Sequence, residues 1–178
     1  MPGVPPNLST DGVTDHIVVG DRVVVPSCFR AVRARFEALT RDEILPQACE
    51  MAYAEGVAAL VETAGPAAGL TRLAWARLDA LPGTDDCAHI ALWWEAIAAD
   101  GKLFTALDAD LMLAPADGKH TSIALAGMYR PQPGPAGAGL DRAILRCGAI
   151  AAIGSFLDQV ACALVHPAGT AGPTGRRP

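Results

Sequence analysis

Residues 87–130, CAHIALWWEAIAADGKLFTALDADLMLAPADGKHTSIALAGMYR, hold three apolar runs separated by Asp100-Gly101 and Asp117-Gly118. Asp-Gly pairs suit tight reversals, because glycine reaches positive φ without steric cost and a short acidic side chain bonds its own backbone. The runs are therefore read as strands, about Cys87 to Ala98, Phe104 to Pro115 and Lys119 to Arg130, joined by short loops into an antiparallel meander. Side chains alternate between the two sides of a strand. Ile90, Leu92 and Trp94 then share one face, with His89, Trp93 and Glu95 on the other. In the next run Leu107, Leu111 and Leu113 oppose Asp108 and Asp110, and in the last Ile123, Leu125 and Tyr129 oppose His120, Ser122 and Arg130. One face of the sheet is apolar and needs a cover.

Upstream, Leu70 to Leu81 reads as another strand of the meander, turning at Pro82-Gly83-Thr84-Asp85. The run HIVVGDRVVVP, residues 16–26, is a β-branched strand with a bend at Gly20. Ser27 is placed to cap a helix from Cys28 to Leu39, in which Phe29, Val32, Phe36 and Leu39 recur every three or four residues. A second helix is expected from Asp42 to about Ala54, with Pro46 tolerated in its first turn and Gly56 as its stop. Val57 to Thr63, bracketed by Gly56 and Gly65-Pro66, has strand length and is read as a strand. That makes six strands.

Downstream, Leu140, Ala143, Cys147, Ile150, Gly154, Leu157, Ala161 and Leu164 repeat at helical spacing. A helix from Gly137 to Val165 is about 40 Å long, enough to cross the sheet. Pro167 and Gly169 follow its end. The expected fold is α+β: a curved antiparallel sheet of about six strands, two short helices, and a long C-terminal helix packed across the sheet. Residues 1–14 and 167–178 lack apolar periodicity and are read as flexible tails around a single domain, 15–166.

The chain of 178 residues is 51% hydrophobic and 19% charged, with net charge -5. It has no basic cluster to neutralise phosphates, so nucleic acid is not an expected partner. No apolar run reaches the roughly 18 residues of a bilayer span, and the N-terminus lacks a signal-peptide pattern. A cytoplasmic protein without a transmembrane segment is expected. The cysteines Cys28, Cys49, Cys87, Cys147 and Cys162 are odd in number and widely spaced, which fits packed thiols rather than disulfides or zinc ligands. His89 and His120 begin strands separated by a third, about 10 Å apart, too far to share a metal ion. No metal or cofactor is expected. Nucleophile-elbow and phosphate-loop motifs are missing; GPAGAG before Leu140 has neither the spacing nor the lysine.

Three stretches carry a family resemblance: VVVPSCFRAVRARF (23–36), LWWEAIAADGKLFTALDADLMLAP (92–115) and LAGMYRPQPGPAGAGLDRAIL (125–145). Together with the element order they resemble the START-like helix-grip superfamily, also called SRPBCC, in an uncharacterised actinobacterial branch. The resemblance covers about Thr14 to Leu164. It implies a hydrophobic cavity between the long helix and the concave sheet face, and no single activity, since members bind lipids, carry ligands or catalyse ring closure. Fuller members have seven strands where six are read here.

The small residues of the last helix, Gly148, Ala149, Ala151, Ala152, Gly154 and Ser155, admit two readings. They leave room for a small hydrophobic molecule, or they let the helix sit close to the sheet. On the first reading the ligand-binding residues are Leu92, Trp94, Leu111, Leu113, Leu125, Tyr129, Ile150, Gly154 and Leu157, with Tyr129 and Trp94 as polar handles. Three functions stay open: a lipid-binding type of carrier, a polyketide cyclase- or dehydratase-like enzyme using the same cavity, or an interaction protein acting through its outer face. The inner face has no His, Asp or Glu to act as acid or base. On the outer face Trp75 is expected opposite Trp93, a pair that suits either sheet stability or a homodimer. Glu95, Asp108, Asp110 and Arg77 there are read as a solvated, ion-paired surface.

Overall fold

The computed structural model describes residues 16–39, 44–65, 71–98, 103–131 and 142–166. Its elements are β1 (Ile17–Val25), α1 (Phe29–Leu39), α2 (Ile44–Ala64), β2 (Thr71–Thr84), β3 (Cys87–Ala98), β4 (Leu103–Pro115), β5 (Thr121–Pro131) and α3 (Arg142–Val165). Five strands form one antiparallel sheet in the order β1-β5-β4-β3-β2. The meander is as read from the sequence, and β1 closes against its last strand. The tails and the Asp100-Gly101 turn lie outside the described residues.

The strand expected at Val57–Thr63 is instead the second half of α2. Gly56 sits inside that helix for a packing reason. A Cβ there would stand 2.7 Å from the Gly148 carbonyl oxygen and 2.8 Å from the Ala152 Cβ of α3. Glycine lets the two helices close on each other where any side chain would hold them apart. The stop comes at Gly65, which adopts a φ of 88° and returns its N–H to the Val61 carbonyl at 2.9 Å.

Two other boundaries move for local reasons. The Cys28 carbonyl accepts from the Ala31 and Val32 amides, so Cys28, not Ser27, holds the cap position of α1. The Ser27 carbonyl instead takes the buried Thr121 hydroxyl at 2.8 Å, pinning the entry of α1 to the start of β5. In the first hairpin, β2 runs on through Pro82 and Gly83 with a register shift between Leu81 and Thr84, and the turn falls at Asp85-Asp86. Proline is tolerated there because β2 is an edge strand.

Curvature has a visible cause at Gly127. It pairs with Ala109 of β4 and Val19 of β1, and a Cβ on it would collide with the Asp108 carbonyl and the Ala109 side chain. The central strands approach where the side chains are smallest.

Over the inner face lies α3, packed beside α2 and across β1 and β5. Its buried stripe is Leu145, Ala149, Ala152, Ile153, Phe156, Leu157, Val160 and Leu164. The stripe read from sequence is displaced in its first half, where Ala143 and Cys147 are exposed. The helix is apolar nearly all round, and such a helix does not reveal its buried face by pattern. By length and composition Ala143–Val165 is apolar enough to cross a membrane, which the sequence reading missed. Half of it is buried against the sheet and α2. No basic residue sits in its own last turn; Arg35 of α1 supplies one, donating to the Leu164 carbonyl at 2.7 Å.

All five cysteines are unpaired. Cys49 is buried on α2, and burial, with Glu50 beside it, pushes its thiol up to about 12. Raising the folded-state value of an acid favours folding below the unfolded-state value and removes that advantage as pH rises. Stability should therefore fall between about pH 9 and 12, by up to about 1.4 kcal/mol per unit from this group. A Cys49→Ala chain unfolded in denaturant across that range should show a shallower decline. With a thiol reagent, Cys28, Cys147 and Cys162 should react in the folded protein, and Cys49 only on unfolding.

Candidate ligand site under the long helix

One cross-strand row defines the centre of the inner face: Ala76 of β2, Trp94 of β3, Leu107 of β4, Tyr129 of β5 and Ile17 of β1. Trp94 is 1% exposed, and Phe156 of α3 meets its ring edge to face, with centroids 6.5 Å apart. The Trp94 indole N–H is buried and meets no acceptor among the described residues. Two strands away, Tyr129 is 4% exposed. Burial holds its phenol well above the ordinary value and Tyr53 of α2 adds to the rise, while a hydrogen bond with the Thr105 side chain works against both. Thr105 in turn donates to the Arg130 carbonyl at 3.2 Å. Tyr129 is thus a neutral phenol at ordinary pH.

Of the residues expected to line a cavity, Leu92, Trp94, Leu111, Leu113, Leu125, Tyr129 and Leu157 are brought together, all buried in one core. Two are not. Ile150 is 50% exposed on the outward side of α3. Gly154 is half-buried, and a Cβ on it would meet only the Asp21 carboxylate, at 3.8 Å. It borders an open surface cleft of about 570 Å³ with Glu55, Ser155, Asp158 and Gln159. A bulky side chain at Gly154 would fill that cleft and leave the sheet interior untouched.

Gly148 and Ala152 serve neither of the two purposes read from the sequence. They face α2, where Gly148 takes Leu60 and Ala152 takes Gly56. Close helix packing explains them. Thr105, Tyr53 and Phe156 went unread. Thr105 follows from the same alternation that places Leu107 inside, and Phe156 was hidden by the choice of face on α3.

Outside the sheet, Arg77 pairs with Asp79 at 2.6 Å and Arg130 with Asp108 at 3.8 Å. The His89 Nε2 stands 3.4 Å from Asp110, and His120 bonds Asp117 within its own turn at 2.9 Å. These are exposed or half-exposed pairs with little energetic weight. Among the described residues no group of His, Cys, Asp and Glu has the arrangement of a metal site. The register sets Trp75 opposite Glu95 and Trp93 opposite Arg77, so the two residues are not cross-strand partners. The shifted turn, with its irregularity between Leu81 and Thr84, accounts for the difference. Among the described residues the larger exposed apolar side chains of this face are Val18, Val24 and Met128, with Val18 and Met128 neighbours on β1 and β5.

A second, half-open cleft of about 170 Å³ lies between α1 and the β2–β3 hairpin. Arg33, Phe36, Glu37, Ala80, Gly83, Ala88 and Ile90 are among its walls. Phe36, Ala88 and Ile90 belong to the same core as Trp94. Arg33 spans the opening, bonded to Glu37 and, at 2.6 Å, to the Thr84 carbonyl of the hairpin.

No protein-family profile matches the sequence, and no curated protein matches it. Solved structures do. A conserved protein from Geobacillus kaustophilus aligns with TM-score 0.49 at 10% identity, over 84% of this chain and 95% of that one. The Zhui aromatase/cyclase from Streptomyces sp. R1128 aligns with TM-score 0.38 at 11% identity, over 87% and 99%. Ara h 8.0201 aligns with TM-score 0.37 at 9% identity, over 85% and 99%. These likenesses concern fold alone. The chain has the helix-grip arrangement: a strand, two helices, an antiparallel meander and a long C-terminal helix packed across it.

Proposed function

We propose that this chain binds a small hydrophobic or amphipathic molecule between α3 and the inner face of the sheet, in the manner of an SRPBCC-like carrier. The observation that carries the reading is the Trp94 indole N–H, buried without an acceptor. Leaving such a donor unmade costs about 1–3 kcal/mol, which an acceptor atom on a bound molecule offsets. Leu92, Leu111, Leu113, Leu125 and Leu157 supply the apolar wall, and Tyr129 a second polar group. These residues are closed to water, so entry requires an opening. The cleft beside α1 is the natural one, since Phe36 and Ile90 connect it to the core. Five unpaired thiols support a reducing compartment, and we place the protein in the cytoplasm. The actinobacterial assignment rests on the quoted motifs alone.

A cyclase- or dehydratase-like reaction needs a group that takes up a proton. Tyr129, held protonated with its hydrogen on Thr105, takes up no proton, and the buried polar side chains otherwise found among the described residues are threonines. Among the described residues no such base stands on the inner face, and the His89 imidazole borders only the cleft beside α1. One observation favours a packed core without ligand: Leu92, Leu107, Leu111 and Leu113 have no exposure at all. Native mass spectrometry of the freshly purified protein separates the two. The binding reading expects a complex heavier than the chain, whose extra mass leaves on denaturation. Bare chain, together with no uptake of an added apolar probe, would refute it.

A further inference from the structure

The donors and acceptors of the inner face restrict what the molecule proposed above can be. Trp94 offers an N–H and can accept nothing. Tyr129, one row-mate away across β4, offers a phenol kept neutral by burial and tied to Thr105. Thr105 spends its hydroxyl hydrogen on the Arg130 carbonyl. The buried polar side chains of the described core are Thr105 and Thr121, with the tyrosine and tryptophan tips, and none carries charge. Two arginines of α1, Arg33 and Arg35, are committed to backbone carbonyls at the Thr84 turn and the end of α3.

A carboxylate or phosphate brought to Trp94 would lose its hydration with no cation to replace it, a cost far above the return from one N–H. A pure hydrocarbon would leave the N–H as unmet as before. An uncharged molecule that carries an acceptor, such as a carbonyl or ether oxygen, fits both constraints. Resting on the binding reading, we infer that the ligand class is neutral and oxygen-bearing, a ketone, ester or ether on an apolar frame, with its oxygen on the Trp94 N–H, and not a fatty acid or phospholipid.

The test compares two fluorescent probes of similar size on the full chain: Prodan, a neutral naphthyl ketone, and ANS, an anionic naphthalene sulfonate. Prodan should bind at least about tenfold more tightly, and Trp94→Phe, which keeps a ring and removes the N–H, should weaken it by about three- to tenfold. The carbonyl stretching band of bound Prodan should sit at the lower frequency of a hydrogen-bonded ketone in the native chain. That band decides the matter alone if the variant does not fold. ANS binding as tightly as Prodan, or an unshifted carbonyl band, would overturn the ligand class while leaving binding in place. Failure of both probes would bring down the binding reading itself.

Discussion

Gly56→Leu is expected to lower stability by about 3 kcal/mol, measured as the shift in denaturant midpoint. Exchanging glycine for another residue inside a helix ordinarily gains up to about 1 kcal/mol from the lower backbone entropy of the unfolded chain. Here the gain is overwhelmed. The first added atom would already stand 2.7 Å from the Gly148 carbonyl oxygen, and backbone cannot rotate away as a side chain can. Overpacking of this sort costs about 1–3 kcal/mol even for small additions, and leucine brings three more carbons into the same seam. Gly56→Ala should be intermediate. Gly118→Ala, in a turn where a Cβ meets nothing within 4 Å, should change little. Equal loss at Gly56 and Gly118 would mean that α2 and α3 do not pack through this seam.

The second large effect is expected at Phe156. Its side chain has no exposure and stands edge-on to Trp94, joining the long helix to the centre of the sheet. Phe156→Ala should cost about 3–5 kcal/mol, the range for deleting a fully buried ring. About 0.5–1.5 kcal/mol of that belongs to the aromatic pair and should appear as coupling in a double-mutant cycle with Trp94→Leu. The void left behind lies beside the indole, so the destabilised chain should take up apolar probes more readily than the native one. An effect under about 1 kcal/mol would show that the helix does not grip the sheet at this point.

Most of the sheet could be read from the chain because period-two alternation and the Asp117-Gly118 turn are local signals. Leu92, Trp94, Leu111, Leu113, Leu125 and Tyr129 fell on the correct face for that reason. What stayed hidden was set by contacts between distant segments. Gly56 has the look of a helix stop until Gly148 is placed against it. Ile150 and Gly154 seemed inward because α3 is apolar on every side, and only the neighbouring α2 and β1 decide which stripe is covered. The partner of Trp75 depended on an irregular register that no turn motif announced. The absent acceptor at Trp94 is a property of the assembled core and has no trace in the sequence.

The account turns on that N–H, and labelled-tryptophan NMR observes it directly. The protein has three tryptophans, so the Trp94 indole signal can be assigned by its loss in Trp94→Phe. It should exchange slowly with heavy water in the bare protein and move downfield as Prodan is added, in step with binding. A signal that exchanges at the rate of an exposed indole, or that stays in place while the probe binds, would contradict the proposed site.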